Sequence, residues 1–171
     1  MNRHLVMILA ATFLLSGCAV SDPRYVLPAN APSARINVNT TIIDGKAPYV
    51  WLCNSSPNVR AMVVDPSDPA RAPAGSPKVK ELILDSSGYV RVPAGERLIV
   101  GTGFLVGTYG NNLSCAPRSS FVPKAGKEYY LDFEIEAEHC TAFIYQIAPS
   151  RPAGLAFESS LQPGGTCPIE K

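Results

Sequence analysis

The stretch from residue 129 to residue 138 carries the side chains whose spacing best suits chemistry. Its residues alternate between apolar and polar, so an extended strand would turn one set toward a core and the other toward solvent. Same-face neighbours on a strand lie roughly 6.6–6.8 Å apart. Carboxylates in such a row can meet a cationic partner, hold calcium, or supply a hydrolase with an acid/base pair. The polar set comprises Tyr130, Asp132, Glu134, Glu136 and Glu138.

Contact with a partner is the functional interpretation that we favour for this polar set. Calcium requires oxygens that converge from several directions, whereas one strand supplies a row, so we predict no metal and no cofactor. The simplest expectation is a solvated outer face whose charge is balanced by Lys and Arg on a neighbouring strand. Tyr109, at a predicted loop tip, is a further candidate for partner contact. His139 lies in a predicted hairpin turn, and no Gly-x-Ser-x-Gly or Ser-x-x-Lys motif is present, so no catalytic residue is predicted.

The first 17 residues have the features of an export signal. Arg3 provides a positive charge, and the apolar run from Leu5 to Leu14 is too short for a comfortable membrane-spanning helix. The run ends in Leu15-Ser16-Gly17-Cys18, which resembles the lipobox of bacterial lipoproteins. The resemblance implies cleavage before Cys18, diacylglycerol on its thiol and acylation of the new amino terminus. Two or more acyl chains would anchor the protein to a membrane almost permanently.

The same resemblance implies a location. Ala19 follows the lipobox cysteine where members retained at the inner membrane usually carry Asp, so we expect the outer membrane, with the periplasmic face ahead of the cell surface. Residues 21–33 contain three prolines and are predicted to form an extended spacer. The predicted organisation is a signal peptide (1–17), a lipidated cysteine and linker (18–33), a β-sandwich domain (34–148) and a Pro/Gly-rich tail held by a disulfide (149–171).

Four further cysteines suit an exported, disulfide-bonded domain. Four cysteines permit three connectivities, and the absence of a Cys-x-x-Cys spacing argues against a zinc or thioredoxin-like site. We favour Cys115–Cys140, which brackets the clearest hairpin, and Cys53–Cys167, which would hold the tail. Trp51, two residues before a cysteine, is expected to pack against a disulfide.

The globular part consists of short alternating or β-branched runs separated by Pro and Gly. No segment keeps apolar residues at helical spacing over three turns. We therefore predict an all-β fold, a single antiparallel β-sandwich of about seven to nine strands that follows the cleaved signal peptide and the linker. The predicted strands span residues 36–42, 49–53, 59–64, 79–84, 89–92, 97–106, 128–136 and 141–147.

A short internal repeat supports this architecture. Residues 92–99 and 122–129 both run from a strand through Pro and an Ala-Gly turn into a new apolar strand. The pattern resembles the PEGA-type sandwich modules of bacterial envelope proteins, which implies a similar architecture.

Composition excludes some function classes. Lys+Arg 15 against Asp+Glu 14 gives a net charge of +1, which is too small for a nucleic-acid binder driven by bulk electrostatics. The glycines at 101, 103 and 107 lack the Lys-Ser/Thr ending of a phosphate loop, so no nucleotide is expected, and they are predicted to permit a bulge or strong twist. We predict a non-catalytic binding, accessory or structural module with an envelope protein partner. Two alternatives stay open, namely an inhibitor or immunity protein against a secreted effector, and an envelope glycan or lipid hydrolase that uses the acidic row.

Overall fold

The computed structural model describes residues 26–38, 49–54, 60–64, 80–108, 111–136 and 139–167, and these residues form strands and no helix. The all-β prediction is therefore confirmed. Accordingly, none of the described segments is a helix with the length and apolarity needed to cross a membrane. The strands are β1 (Ser33–Asn37), β2 (Tyr49–Asn54), β3 (Arg60–Val64), β4 (Lys80–Ile83), β5 (Tyr89–Pro93), β6 (Leu98–Thr108), β7 (Asn111–Cys115), β8 (Arg118–Phe121), β9 (Glu128–Glu136), β10 (His139–Ile147), β11 (Leu155–Phe157) and β12 (Gln162–Pro163).

The strands form two sheets. The five-stranded sheet has the order β11-β10-β9-β1-β5, and the seven-stranded sheet has the order β12-β8-β6-β2-β3-β4, with β7 paired to the distal part of β6. Most neighbours are antiparallel, as predicted, but β1 pairs with β9 in parallel and β3 pairs with β4 in parallel. The prediction of purely antiparallel sheets is therefore wrong at these two pairs. Hydrophobic alternation specifies the buried face of a strand, and it leaves the direction of the neighbour open.

The described strands outnumber the seven to nine that we predicted. The additional ones are β7, β8, β11 and β12, which are short, polar or rich in Pro and Gly. The strand predicted over residues 36–42 ends at Asn37 in β1, and residues 39–42 lie outside the described part of the chain.

One hydrophobic core receives side chains from both sheets. Tyr129 of β9 meets Phe121 of β8 edge to face, with ring centroids 4.9 Å apart. The Ser119 hydroxyl of β8 donates a hydrogen bond of 2.6 Å to the Ala142 carbonyl of β10, so a buried polar contact also joins the sheets. The core residues are Ala34, Ile36, Val38, Val50, Leu52, Leu82, Val90, Val92, Leu98, Val100, Phe121, Tyr129, Leu131, Ala142 and Ile144.

The C-terminal tail adds a strand to one edge of each sheet. β11 pairs with β10, and β12 pairs with β8 on the other sheet. Beyond β12 the chain passes over Ile99, so close that a Cβ on Gly165 would lie 2.9 Å from Ile99 Cγ1. Cys167 then bonds to Cys53. Ile99 and Cys53 are buried although they alternate with core residues, because the tail covers them.

The predicted spacer joins the domain at Pro28. The Arg91 guanidinium donates to the carbonyls of Pro28, Ala29 and Ala31 at 3.1–3.3 Å, and Ser33 begins β1. Residues 21–25 lie outside the described part of the chain. The described hydrogen bonds of the spacer to the Arg91 side chain are therefore on the β1–β5 side of the five-stranded sheet.

The two repeated turns lie side by side. Gly95 and Gly126 adopt φ of 89° and 73°, the left-handed conformation that such turns require. The Gly95 amide donates to the Pro123 carbonyl at 2.8 Å, so one turn bonds to the other. The turns predicted by the internal repeat are confirmed.

Candidate functional site

A row of side chains crosses the five-stranded sheet on the face opposite the core. The register places Tyr145 opposite both Tyr130 and Phe157, and it places Asn37 opposite both Tyr130 and Tyr89. Their chain neighbours, including Ile36, Val90 and Ile144, are buried in the core, so this row lies on the outer face. We call Tyr89, Asn37, Tyr130, Tyr145 and Phe157 the aromatic row.

One end of the aromatic row is open to solvent. Phe157 is 76% exposed, an unusual position for a phenyl ring. Its centroid lies 5.2 Å from that of Tyr145 with an interplanar angle of 53°. Phe143, two residues earlier on β10, lies 6.2 Å from Tyr145 with an angle of 32°. These three rings form a contiguous but uneven apolar surface.

Two carboxylates lie beside this open end. Asp132 is opposite Phe143, and Glu134 is opposite Thr141, so both lie on the outer face next to the rings. Burial raises the pKa of the Tyr145 phenol, and the charges of Glu134 and Asp132 raise it further. Burial likewise raises the pKa of Tyr130, with a second contribution from Asp132. The carboxylates therefore act on the same patch of surface as the two phenols.

The other end of the aromatic row already holds a cation. The Arg35 guanidinium lies 4.2 Å from the centroid of the Tyr89 ring. It also pairs with Asp85 at 2.8 Å and with Glu128 at 2.6 Å. The pKa of Arg35 is raised, chiefly by its hydrogen bond to Asp85. One ring and two carboxylates thus form a complete guanidinium site within the chain.

Asp85 is organised by its own turn. Its Oδ1 accepts hydrogen bonds from the amides of Ser87 and Tyr89 at 2.9 and 3.0 Å. The hydrogen bond from the Tyr89 amide is the main cause of a lowered pKa for Asp85, followed by the hydrogen bond from Arg35. The turn therefore presents a carboxylate whose charged form is stabilised.

The structure describes only part of the predicted polar set. Tyr130, Asp132 and Glu134 share the outer face as predicted. The backbone of Glu136 continues β9, whereas its side chain, Glu138 and Tyr109 lie outside what the structure describes.

Asp132 and Glu134 are the acids of the predicted set whose side chains the structure describes. Among the described residues, Arg35 pairs with Glu128 and Asp85, and no Lys or Arg lies within ion-pair distance of Asp132 or Glu134. The open end of the row therefore carries negative charge that the described residues do not neutralise.

Sequence reasoning missed the aromatic partners of the acids. Phe143 and Tyr145 could have been found, because they alternate with Ala142 and Ile144 on the strand that pairs with the acidic one. Phe157 carried no comparable signal, since its strand has three residues and lies in a segment rich in Pro and Gly.

The described cysteines form the two pairs favoured by the sequence. Cys53 and Cys167 have Cα atoms 5.8 Å apart, and Cys115 and Cys140 have Cα atoms 6.1 Å apart, both within the range for disulfides. The first holds the tail against β2. The second joins β7 of one sheet to β10 of the other, so it links the sheets near one end of β10.

Potential metal ligands do not cluster in the described ranges, where no group of three His, Cys, Asp or Glu side chains is suited to hold an ion. His139 is exposed beside the end of β9. The chain matches no protein-family model, no curated protein and no solved structure.

Proposed function

We propose that this protein is a lipid-anchored lipoprotein of the bacterial envelope, whose domain acts as a non-catalytic binding or accessory module. The lipobox-like sequence that ends at Cys18 supports the anchor. Its Ala19 supports the outer membrane, with the domain on the periplasmic side. Two disulfides fit an exported domain, because such bonds persist in oxidising compartments.

The domain is proposed to be a β-sandwich. Three features support this proposal. Both sheets contribute side chains to a single core, the rings of Phe121 and Tyr129 meet edge to face, and Ser119 donates a hydrogen bond to the Ala142 carbonyl. Sheets that face each other across a shared core are the arrangement in which both apolar faces are buried. A sandwich leaves each outer face free for binding.

The open end of the aromatic row carries the binding proposal. Phe157 is largely exposed and touches Tyr145, while Asp132 and Glu134 lie on β9, on the other side of Tyr145. Exposed aromatic surface rimmed by polar groups is characteristic of sites of protein contact. The carboxylates stand side by side along one strand, which suits contact with an extended partner.

The anchor would keep this face close to the membrane. The linker meets the domain at Arg91, whose backbone position is opposite that of Arg35 on the same sheet. Ten residues separate Cys18 from Pro28, counting the cysteine, and in polyproline geometry they would reach about 30 Å. A partner that binds this face would therefore lie in the periplasm.

Photocrosslinking in intact cells tests the binding proposal. A photoreactive amino acid replaces Phe157 in one variant and Lys124, which is exposed in a turn, in the control. We expect a discrete protein adduct from position 157 and none from position 124. Equal adducts at both positions, or none at 157, would contradict the proposal. An envelope protein in the adduct supports an accessory role, whereas a secreted effector would favour the inhibitor or immunity alternative.

Substitution of the lipidated cysteine tests the anchor. Cys18→Ala is expected to remove incorporation of labelled palmitate and to release the protein from the membrane fraction, because the thiol is the acylation site. Ser21→Ala, which leaves residues 15–18 and both disulfides intact, serves as the control and should keep both properties. A Cys18→Ala protein that still carries label and sediments with the outer membrane would show that the anchor is assigned wrongly.

A further inference from the structure

We infer that the partner segment bound at the open end of the aromatic row carries arginine or lysine, held over Tyr145 with Phe157 on its β11 side and with Asp132 and Glu134 on its β9 side. This inference rests on the proposed function, because it names the chemistry of the partner. It goes beyond that function by specifying the charge of the partner and the atoms that recognise it.

The same row already contains one guanidinium site. At the closed end, Arg35 lies over the Tyr89 ring and pairs with Asp85 and Glu128. A cation between an aromatic face and carboxylates gains from the ring quadrupole as well as from ion pairing. At this end of the row, the chain's own Arg35 therefore occupies the site formed by the ring and the two carboxylates.

The open end of the row repeats those components without a described cation. Tyr145 and Phe157 supply rings in contact, and Asp132 and Glu134 supply two carboxylates beside them. In the described part of the chain, neither carboxylate has an ion-pair partner, although Asp132 accepts a hydrogen bond from the Phe133 amide at 3.0 Å. A partner cation would complete the second site as Arg35 completes the first.

The charge and the ring geometry disfavour other occupants. A purely apolar partner would desolvate two carboxylates without compensating them. An anionic lipid headgroup would be repelled by the same carboxylates. The rings are tilted by 53° and 32°, so they do not form the flat platform on which successive sugar rings stack. A cationic side chain can approach a single ring face and a carboxylate together.

The position of the rings favours a polypeptide as the carrier of that cation. Phe157 ends β11, which is the last strand on its side of the described five-stranded sheet. An extended segment beside β11 can pair with this edge through its backbone. Because neighbouring strands lie about 4.8 Å apart, the segment must then turn onto the outer face to bring its cationic side chain to Tyr145 and to the carboxylates of β9.

A peptide titration tests the inference directly. The full protein, purified from membranes in a non-ionic detergent, is titrated against a fluorescein-labelled peptide of alternating Gly and Arg, and the anisotropy is measured. The matched probe replaces each Arg with citrulline, which keeps the shape and removes the charge. We expect saturable binding of the arginine peptide that weakens with salt, and affinity for the citrulline peptide at least about tenfold lower.

Variants then assign the binding to this face. Phe157→Leu keeps an apolar side chain at an exposed position and removes the ring, and Asp132→Asn with Glu134→Gln removes the charges. Each change is expected to weaken binding of the arginine peptide on the order of fivefold. Glu96→Gln removes one negative charge from an exposed acid outside the row and should leave affinity within about twofold. Equal binding of both peptides, or an equal effect of the Glu96 variant, would overturn the inference.

Mapping the crosslinked partner separates this inference from the proposed function. If position 157 captures a partner segment that contains arginine or lysine, the inference is supported. If the captured segment contains neither, the cationic assignment fails while the binding role remains. If position 157 captures only lipid, both fail together.

Discussion

The indole ring of Trp51 fills the space beside Gly101 on the adjacent strand, where a Cβ atom would overlap the ring. The Arg118 guanidinium lies 5.2 Å from the same ring. Trp51 thus packs over Gly101 on the outer face of the seven-stranded sheet. The ring fits there because Gly101 has no side chain. This close approach, rather than a need for unusual backbone angles, explains the glycine.

Gly101→Ala is therefore expected to destabilise the protein by about 2 kcal/mol, because the methyl group must displace the ring. Urea unfolding monitored by circular dichroism provides the measurement. In a Trp51→Leu background the same substitution should have a smaller effect, since the smaller side chain can move aside. Equal losses in both backgrounds would mean that the contact with Trp51 does not determine the residue at position 101.

The two disulfides should contribute unequally to stability. Cys53–Cys167 closes 114 residues and Cys115–Cys140 closes 25, so the chain-entropy relation gives about 5 and about 3.5 kcal/mol. Replacing both cysteines of a pair with serine and measuring urea unfolding at neutral pH tests the order. Loss of the first pair should also expose Ile99, because the tail that covers it is released. A larger loss from the Cys115–Cys140 variant would contradict this assignment.

The local parts of the fold were the parts that the sequence could predict. Tyr129, Leu131 and Phe133 alternate with polar residues, and all three are buried as expected. The hairpin was equally readable, because Glu136 and His139 flank a short connection and pair directly. Period-two alternation and short-range turns depend only on neighbouring residues, which is why they can be read without the rest of the fold.

The long-range parts were not readable. Ser119 looks like a loop residue, yet it is buried in the core, where its hydroxyl donates a hydrogen bond to the Ala142 carbonyl. Nothing in the pattern of Ile36 indicates a parallel partner more than ninety residues away, at Tyr129. The proposed binding face was not readable for the same reason, since Phe157 reaches Tyr145 only through the pairing of β11 with β10. Strand partners are selected by the whole core, and the local pattern does not contain that information.

Asp85 should make stability depend on pH in the acid range. Its pKa is lowered below the ordinary value of 3.8, mainly by the Tyr89 amide and then by Arg35. A lowered carboxyl pKa stabilises the folded state above the unfolded pKa, and this stabilisation is lost as the pH falls through the folded pKa. Asp85→Asn should therefore be less stable than wild type above about pH 5, with a difference that shrinks below pH 3.8. Glu96→Gln is the charge control. If the difference in unfolding free energy between wild type and Asp85→Asn stays constant from neutral pH down to about pH 2, the assignment is contradicted.

The outer-face phenols should report the nearby carboxylates. Burial raises the pKa of Tyr145, with added contributions from Glu134 and Asp132. Asp132→Asn combined with Glu134→Gln should move this pKa toward its ordinary value without reaching it, because burial remains. Ultraviolet difference titration of the protein, with Tyr145→Phe to assign the transition, gives the measurement. An unchanged Tyr145 transition would show that the carboxylates do not act on the patch.

Thr102 should be replaceable by valine with a gain in stability. Its side chain is fully buried on β6, and its hydroxyl has no hydrogen-bond partner in the described part of the structure. A buried hydroxyl without a partner loses its hydration on folding, and the mutational penalty for such a group is about 1–3 kcal/mol. Valine has nearly the same shape, so Thr102→Val should raise the free energy of unfolding by about 1 kcal/mol or more in urea denaturation. Thr102→Ser is the matched comparison, because it keeps the unpaired hydroxyl and removes a methyl group, and it should destabilise the protein. If Thr102→Val also destabilises the protein, the Thr102 hydroxyl is hydrogen-bonded in solution, and that polar contact stabilises β6.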